Sequence, residues 1–230
     1  MRNWMKLAGA ASLALVASTA VAADHTDGPA VKKDASTDIN DVFTWTKDGK
    51  LVVAMSVGGI SAPAALSDAA LYTFHIDGHA APLEAPAMGK HGMVTCKVAT
   101  ATSAECWVVG GDGQVVDYVK GDPSTAMTSE SGKLKVHAGL HQDPFFFFLA
   151  GLNTAIKTVQ DAAAGLTAYA SGCPKLDAGT VTALQGQLTM GAVNNFATLN
   201  QLVLVAEVDP GFAGTGAYVA VWGSTNKIGQ

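Results

Sequence analysis

The sequence predicts a mainly β protein: an antiparallel β-sandwich or barrel-like domain carrying a helical insertion. Three observations predict it. Short apolar runs rich in Val, Thr, Phe and Tyr recur along most of the chain, separated by Gly- and Asp-containing turns. One region, residues 152–192, changes to a helical period. No internal repeat and no long linker divides the chain, so the strands belong to one domain.

The elements follow in order. Asp41–Thr46 and Leu51–Val57 flank Lys47-Asp48-Gly49-Lys50 and read as a hairpin, because Asp-Gly supplies the positive φ values of a tight turn. Ala70–Ile76 is a third strand, expected to stop at a turn made by Asp77-Gly78. Gly92–Val98 and Glu105–Val109 flank a polar excursion and form a second hairpin. Gly110-Gly111-Asp112-Gly113 turns the chain into Gln114–Val119. Lys133–Ala138, Leu202–Val208 and Ala217–Trp222 complete the strands. Within the insertion, Ile156, Val159, Ala163, Leu166 and Tyr169 lie at helical spacing over Asn153–Ala170, with Gly172 as C-cap and Pro174 beyond. Thr180–Leu188 reads as a second short helix. The run Phe145–Phe148 would alternate faces on a strand and is expected in the core.

Residues 1–22 read as a secretion signal. Arg2 and Lys6 supply its positive end, Leu7–Val16 its apolar stretch and Ala20-Val21-Ala22 its cleavage site. The mature chain, residues 23–230, would start at Ala23 or, with a shifted cut, Asp24. The apolar stretch is too short for the ~20 residues of a membrane span, and no later segment offers one. The chain is therefore expected to be exported, to the periplasm or beyond. Loss of two basic residues and no acidic one takes the formal charge from −5 to −7. That balance argues against nucleic acid and anionic membrane surfaces as partners. In an oxidising compartment Cys96 and Cys106 are expected to pair across their hairpin, which leaves Cys173 odd.

Chemistry concentrates at the mature N-terminus. Asp24, His25, Asp27, Asp34, Asp38 and Asp41 crowd a chain that is only 14% charged. Carboxylate oxygens suit Ca²⁺, which takes 6–8 of them. The spacing is not that of an EF-hand, so a site would be assembled from separate segments. Asp27, Asp38, Asp41 and Asp143 are the candidate ligands, joined by His25 or His141 for a softer ion. The competing reading is that these Asp residues cap turns.

Two histidine pairs also merit weight. His75 and His79 are expected to flank the Asp77-Gly78 turn, and His137 and His141 flank Gly139. Residues four apart on a strand share a face, so either pair could reach one Zn²⁺ or Cu²⁺ ion. Met88-Gly89-Lys90-His91-Gly92-Met93 places two thioethers around an imidazole, a donor set that suits Cu(I). A mature N-terminus of Ala23-Asp24-His25 would offer an amine, two amides and an imidazole to Cu(II). A hydrolase would instead use His25, Asp27 and His141 as metal ligands and a bound water as nucleophile.

Several ordered segments together resemble the domain-of-unknown-function 4331 family of secreted bacterial proteins. They are Asp24-His25-Thr26-Asp27-Gly28-Pro29, the Asp34, Asp38, Asp41-Val42-Phe43 pattern, Phe74-His75-Ile76-Asp77, residues 138–147, residues 196–201 and Val221-Trp222. Thr26, His141 and Gln142 depart from the family's Arg, Arg and Asp. The resemblance implies a secreted β-rich domain and brings no activity with it. No nucleophile elbow, P-loop, dinucleotide fingerprint or zinc-protease motif appears. The sequence reading is thus an exported, non-catalytic binding or structural module with a divalent cation, Ca²⁺ before Cu²⁺ or Zn²⁺, near its mature N-terminus. It names no partner protein or small ligand.

Overall fold

The computed structural model describes residues 29, 31–58, 65–82, 91–162, 165–213 and 217–228. The secretion signal, His25, Asp27 and Met88 lie outside them. The chain divides into two compact units. One comprises residues 24–143 with 199–230, and the other residues 144–198.

The larger unit is a β-sandwich of two five-stranded antiparallel sheets. The first has the order β1 (Ile39–Lys47), β2 (Lys50–Val57), β9 (Asn200–Val208), β8 (Leu134–Gln142) and β7 (Met127–Thr128). The second has the order β10 (Tyr218–Lys227), β3 (Ala70–His79), β4 (His91–Thr100), β5 (Ser103–Val109) and β6 (Val115–Gly121). Alternating residues of both sheets form one core, including Val53, Met55, Tyr72, Phe74, Val94, Val108, Leu134, Val136 and Leu204. Burying a side chain such as Phe74 stabilises the fold by about 1.5–3 kcal/mol. The first hairpin turns as its Asp-Gly dictates: Asp48 has φ 50° and Gly49 φ 75°.

Asp77-Gly78 does not turn. β3 continues through both residues to His79, because β10 pairs them with Ala220 and Val219 and β4 pairs Asp77 with His91. Two ladders outweigh a local turn preference. The second hairpin is also tighter than expected, its strands closing to the two residues Ala101-Thr102. Cys96 and Cys106 face each other in register there, with Cα atoms 4.1 Å apart, and form a disulfide buried in the core.

The acidic head folds as a capped turn. Asp34 is the N-cap of a 3-10 helix over Ala35–Thr37, accepting from the Ser36 amide at 3.2 Å and from the Ser36 hydroxyl. Its other oxygen accepts from Ser67 Oγ at 2.6 Å. The fully buried Tyr72 ties this turn to the core: its hydroxyl donates to Ser36 O and accepts from Ser67 N, both at 2.7 Å. Burial opposes ionisation of Asp34, yet the bonds from Ser36 and Ser67 and the charge of Lys227 leave its carboxyl below the ordinary range.

The smaller unit holds two helices, α1 (Leu149–Ala162) and α2 (Ala178–Thr189). α1 starts earlier than its periodicity suggests, because Asn195 Oδ1 accepts from Leu149 N at 2.9 Å and Asn194 Oδ1 from Phe147 N at 3.1 Å. Gly172 does not cap it. With φ 86° it turns a small hairpin closed by the Ala168–Pro174 bridge. α2 begins at Asp177, which accepts from Thr180 N at 2.9 Å. The Phe run is an irregular lead-in, not a core strand. Phe145 and Phe147 gather on Phe196, while Phe146 is 57% exposed. No helix among the described residues is long and apolar enough to cross a membrane.

Two outcomes follow. Reducing the Cys96–Cys106 bond should lower unfolding free energy by about 2–3 kcal/mol, from the length of the loop it closes; denaturant melts with and without reductant check this, and equal midpoints would refute it. Asp34→Ala should cost about 1–2 kcal/mol through the lost cap, measured the same way.

Candidate functional site

The predicted metal ligands among the described residues scatter along one end of the first sheet. β1 begins there, β8 ends there and β9 begins there, as the pairs Ile39–Val57, Val57–Leu202 and Gln142–Asn200 fix. Asp38 is buried between the 3-10 helix and β1, its amide on Ala35 O and its carbonyl accepting from Gly58 N at 2.9 Å. Asp41 lies on β1 opposite Ser56. Asp143 is buried just past β8, its amide on Leu199 O. A polar chain links these segments: Asn40 Nδ2 donates to Gln201 Oε1 at 2.7 Å, and Gln201 Nε2 donates to Asp143 Oδ2 at 3.1 Å. Gln201 is 1% exposed, so both ends of its amide are satisfied inside the protein. Among the described residues no three His, Cys, Asp or Glu side chains gather closely enough to hold one metal ion.

His141 sits apart from those carboxylates in its bonding. It lies on β8 with His137, and their Nε2 atoms approach to 2.9 Å across Gly139. The rings meet nearly edge to face, at 71°.

A second cluster occupies the outer face of the other sheet. The extension of β3 puts His75, Asp77 and His79 on one face at a period of two. His75 stands opposite Trp222 of β10 and Met93 of β4. The His75 and Trp222 rings are stacked, 5.0 Å apart at 6°, and His91 lies 5.5 Å from His75 at 28°. His91 Nδ1 donates to Asp77 Oδ1, which holds the imidazole in one orientation. Ser224 Oγ is 2.9 Å from His75 Nε2 and also accepts from Asn226 Nδ2 at 3.1 Å. Burial, and then the neighbouring His91, push the His75 pKa below its ordinary value, against the opposing pull of Asp77.

This cluster changes the copper reading. His91 and Met93 share a face with His75, but Met88 lies outside the described residues. An imidazole lone pair lies in the ring plane. The planes of His75 and His91 run side by side, so their nitrogens do not converge on one ion. The hydrolase reading needs His25 and Asp27, also outside the described residues, and its third ligand, His141, is paired with His137. In the sequence the cluster is hidden, because Asp77-Gly78 reads as a turn that would end β3 before His79. The period-two run His75-x-Asp77-x-His79 was the available signal.

Comparison with protein-family models, curated proteins and solved structures yields no match.

His75 carries a pH dependence. The unfolded chain protonates it near ~6.5 and the folded chain only at lower pH, so its contribution to stability falls as pH drops through that window and is constant above it. His75→Gln keeps a hydrogen-bonding group but does not titrate. Its melts should therefore lose less stability than the parent's between about pH 7.5 and 5.5. Parallel losses in both proteins would refute the assignment.

Proposed function

We propose that the chain is an exported, non-catalytic binding or structural module related to the domain-of-unknown-function 4331 proteins. The observation that carries this reading is the Asn40–Gln201–Asp143 chain, whose Gln201 and Asp143 are buried. It joins the segment after the acidic head to the end of β8 and the start of β9. The same polar side chains that a metal enzyme would aim at a substrate are here turned into the fold and spent on one another. Asp34 is likewise spent on a cap. The core disulfide fits an oxidising compartment.

The calcium part of the reading stands separately. A Ca²⁺ site at this end of the sheet would draw on no more than two of Asp38, Asp41 and Asp143, since no three of the described side chains come together, and would need further donors. The ion would stabilise the folded state by binding it alone.

The protein purified without chelator from an exporting host tests both parts. Export predicts a mature chain starting at Ala23 or Asp24; an intact Met1 on protein retained in the cytosol would sink it. Stoichiometric calcium with a melting temperature lowered by EDTA is the expected result for the ion. Calcium-free protein with an EDTA-insensitive melt would remove the ion and leave the module.

A further inference from the structure

We propose that His137 and His141 form a binding site for a divalent transition-metal ion, copper(II) above zinc, independent of the calcium reading. β8 is extended from Leu134 to Gln142, so its residues 137, 139 and 141 project from one face. Strand rise sets positions 137 and 141 about 13 Å apart, so their imidazoles meet only where both lean along the strand over the residue between them, here Gly139. A Cβ at this position would lie 3.4 Å from His137 Nε2 and 3.7 Å from His141 Nε2, ordinary contact distances, so the space over residue 139 is where both rings lean.

The rings use that space to converge. Their Nε2 atoms stand 2.9 Å apart and their planes cross at 71°. With neutral rings, one nitrogen donates its proton to the other. Two nitrogens each about 2.0–2.1 Å from one ion are about 2.9 Å apart at the right angle of a square plane and about 3.4 Å apart at the tetrahedral angle. The observed separation is that of the N–H···N hydrogen bond, close enough for one ion to reach both nitrogens, and such a site binds copper(II) more tightly than zinc. A turn of each ring about its Cβ–Cγ bond would point both lone pairs at a shared ion in place of the shared proton.

Access and surroundings agree. His141 is exposed and His137 half-buried, bordering an open groove also lined by Trp45, Lys135 and Glu207. Water or a small ligand can fill the remaining coordination positions. The nearest cation along the strand, Lys135, is paired with Glu207 at 3.1 Å, so its charge is partly offset. The contrast with His75 and His91 is sharp: those rings stack, and these cross.

The test uses the mature protein carrying His25→Ala, which removes the amino-terminal imidazole as a rival copper ligand. It is titrated with CuCl₂ and followed by electron paramagnetic resonance. One bound equivalent with nitrogen hyperfine splitting is expected. His137→Ala and His141→Ala should each weaken it by on the order of tenfold or more, since losses even outside the coordination sphere cost that much. Gly139→Ala, whose methyl would meet both rings only at contact distance, and His91→Ala should each leave it unchanged. His141→Gln answers the same question should an alanine variant fail to fold. Copper held equally by the parent and the His137 and His141 variants, or without nitrogen splitting, would reduce the pair to a hydrogen bond. Zinc displacing copper at equal concentration would overturn the choice of metal. Neither result bears on export or on the calcium melt.

Discussion

The structure depends on the packing of two inner sheet faces against each other. Neither sheet can bury its apolar residues alone, and the contact between them excludes water from Met55, Tyr72, Phe74, Val94 and Leu204 together. Everything polar in the larger unit is arranged around that contact. Tyr72 shows how. Its ring sits in the core, and its hydroxyl reaches the edge of the sandwich, where it holds the Asp34 turn and Ser67. A residue contributing apolar area at one end and two hydrogen bonds at the other couples the acidic head to the core without exposing either.

Strand order then decides which distant residues become neighbours. Because β9 lies between β2 and β8, residues 40, 143 and 201 meet at one end of the first sheet. The amide of Gln201 bridges the other two, and its near-total burial makes the bridge obligatory: deleting either partner would leave an unsatisfied group in a low-dielectric interior. The two histidine clusters lie on outer faces, where the fold constrains them less, and there ring orientation governs what they can do. Stacked planes keep the lone pairs of His75 and His91 apart. Crossed planes bring those of His137 and His141 together. The rings of His75 and His91 come from two paired strands, β3 and β4, whereas His137 and His141 lie on one strand and lean toward each other over Gly139.

Features encoded within a few residues were legible in the sequence. Asp48-Gly49 makes its turn because the required φ values belong to those residues, and Cys96 and Cys106 pair because a tight hairpin sets them opposite each other. The sandwich and its helical insertion follow from periodicities of the same short range. Signals with partners far along the chain were lost. Asp77-Gly78 carries as strong a local turn signal, yet β10, about 140 residues later, recruits it into a ladder. The start of α1 is set by Asn194 and Asn195, beyond the second helix. The Phe run carries core composition, but a helix follows it immediately, so it has no strand on which to alternate. Within the acidic head, Asp34 is a cap, in keeping with the competing reading of these residues. His141 found a partner in His137, which periodicity alone had offered as one of two equal pairs.

The Cys96–Cys106 bond has a consequence during synthesis. Side chains on a strand alternate faces, so a slip of one residue between β4 and β5 would send the two sulfurs to opposite sides of the sheet and leave them unable to join. Correct pairing also carries Val94, Val98, Ala104 and Val108 to the inner face together. Once the strands pair, the covalent bond is therefore compatible only with the alignment that buries the hairpin's apolar side. Whenever it closes, it disfavours the slipped pairings and keeps the register from which the second sheet extends.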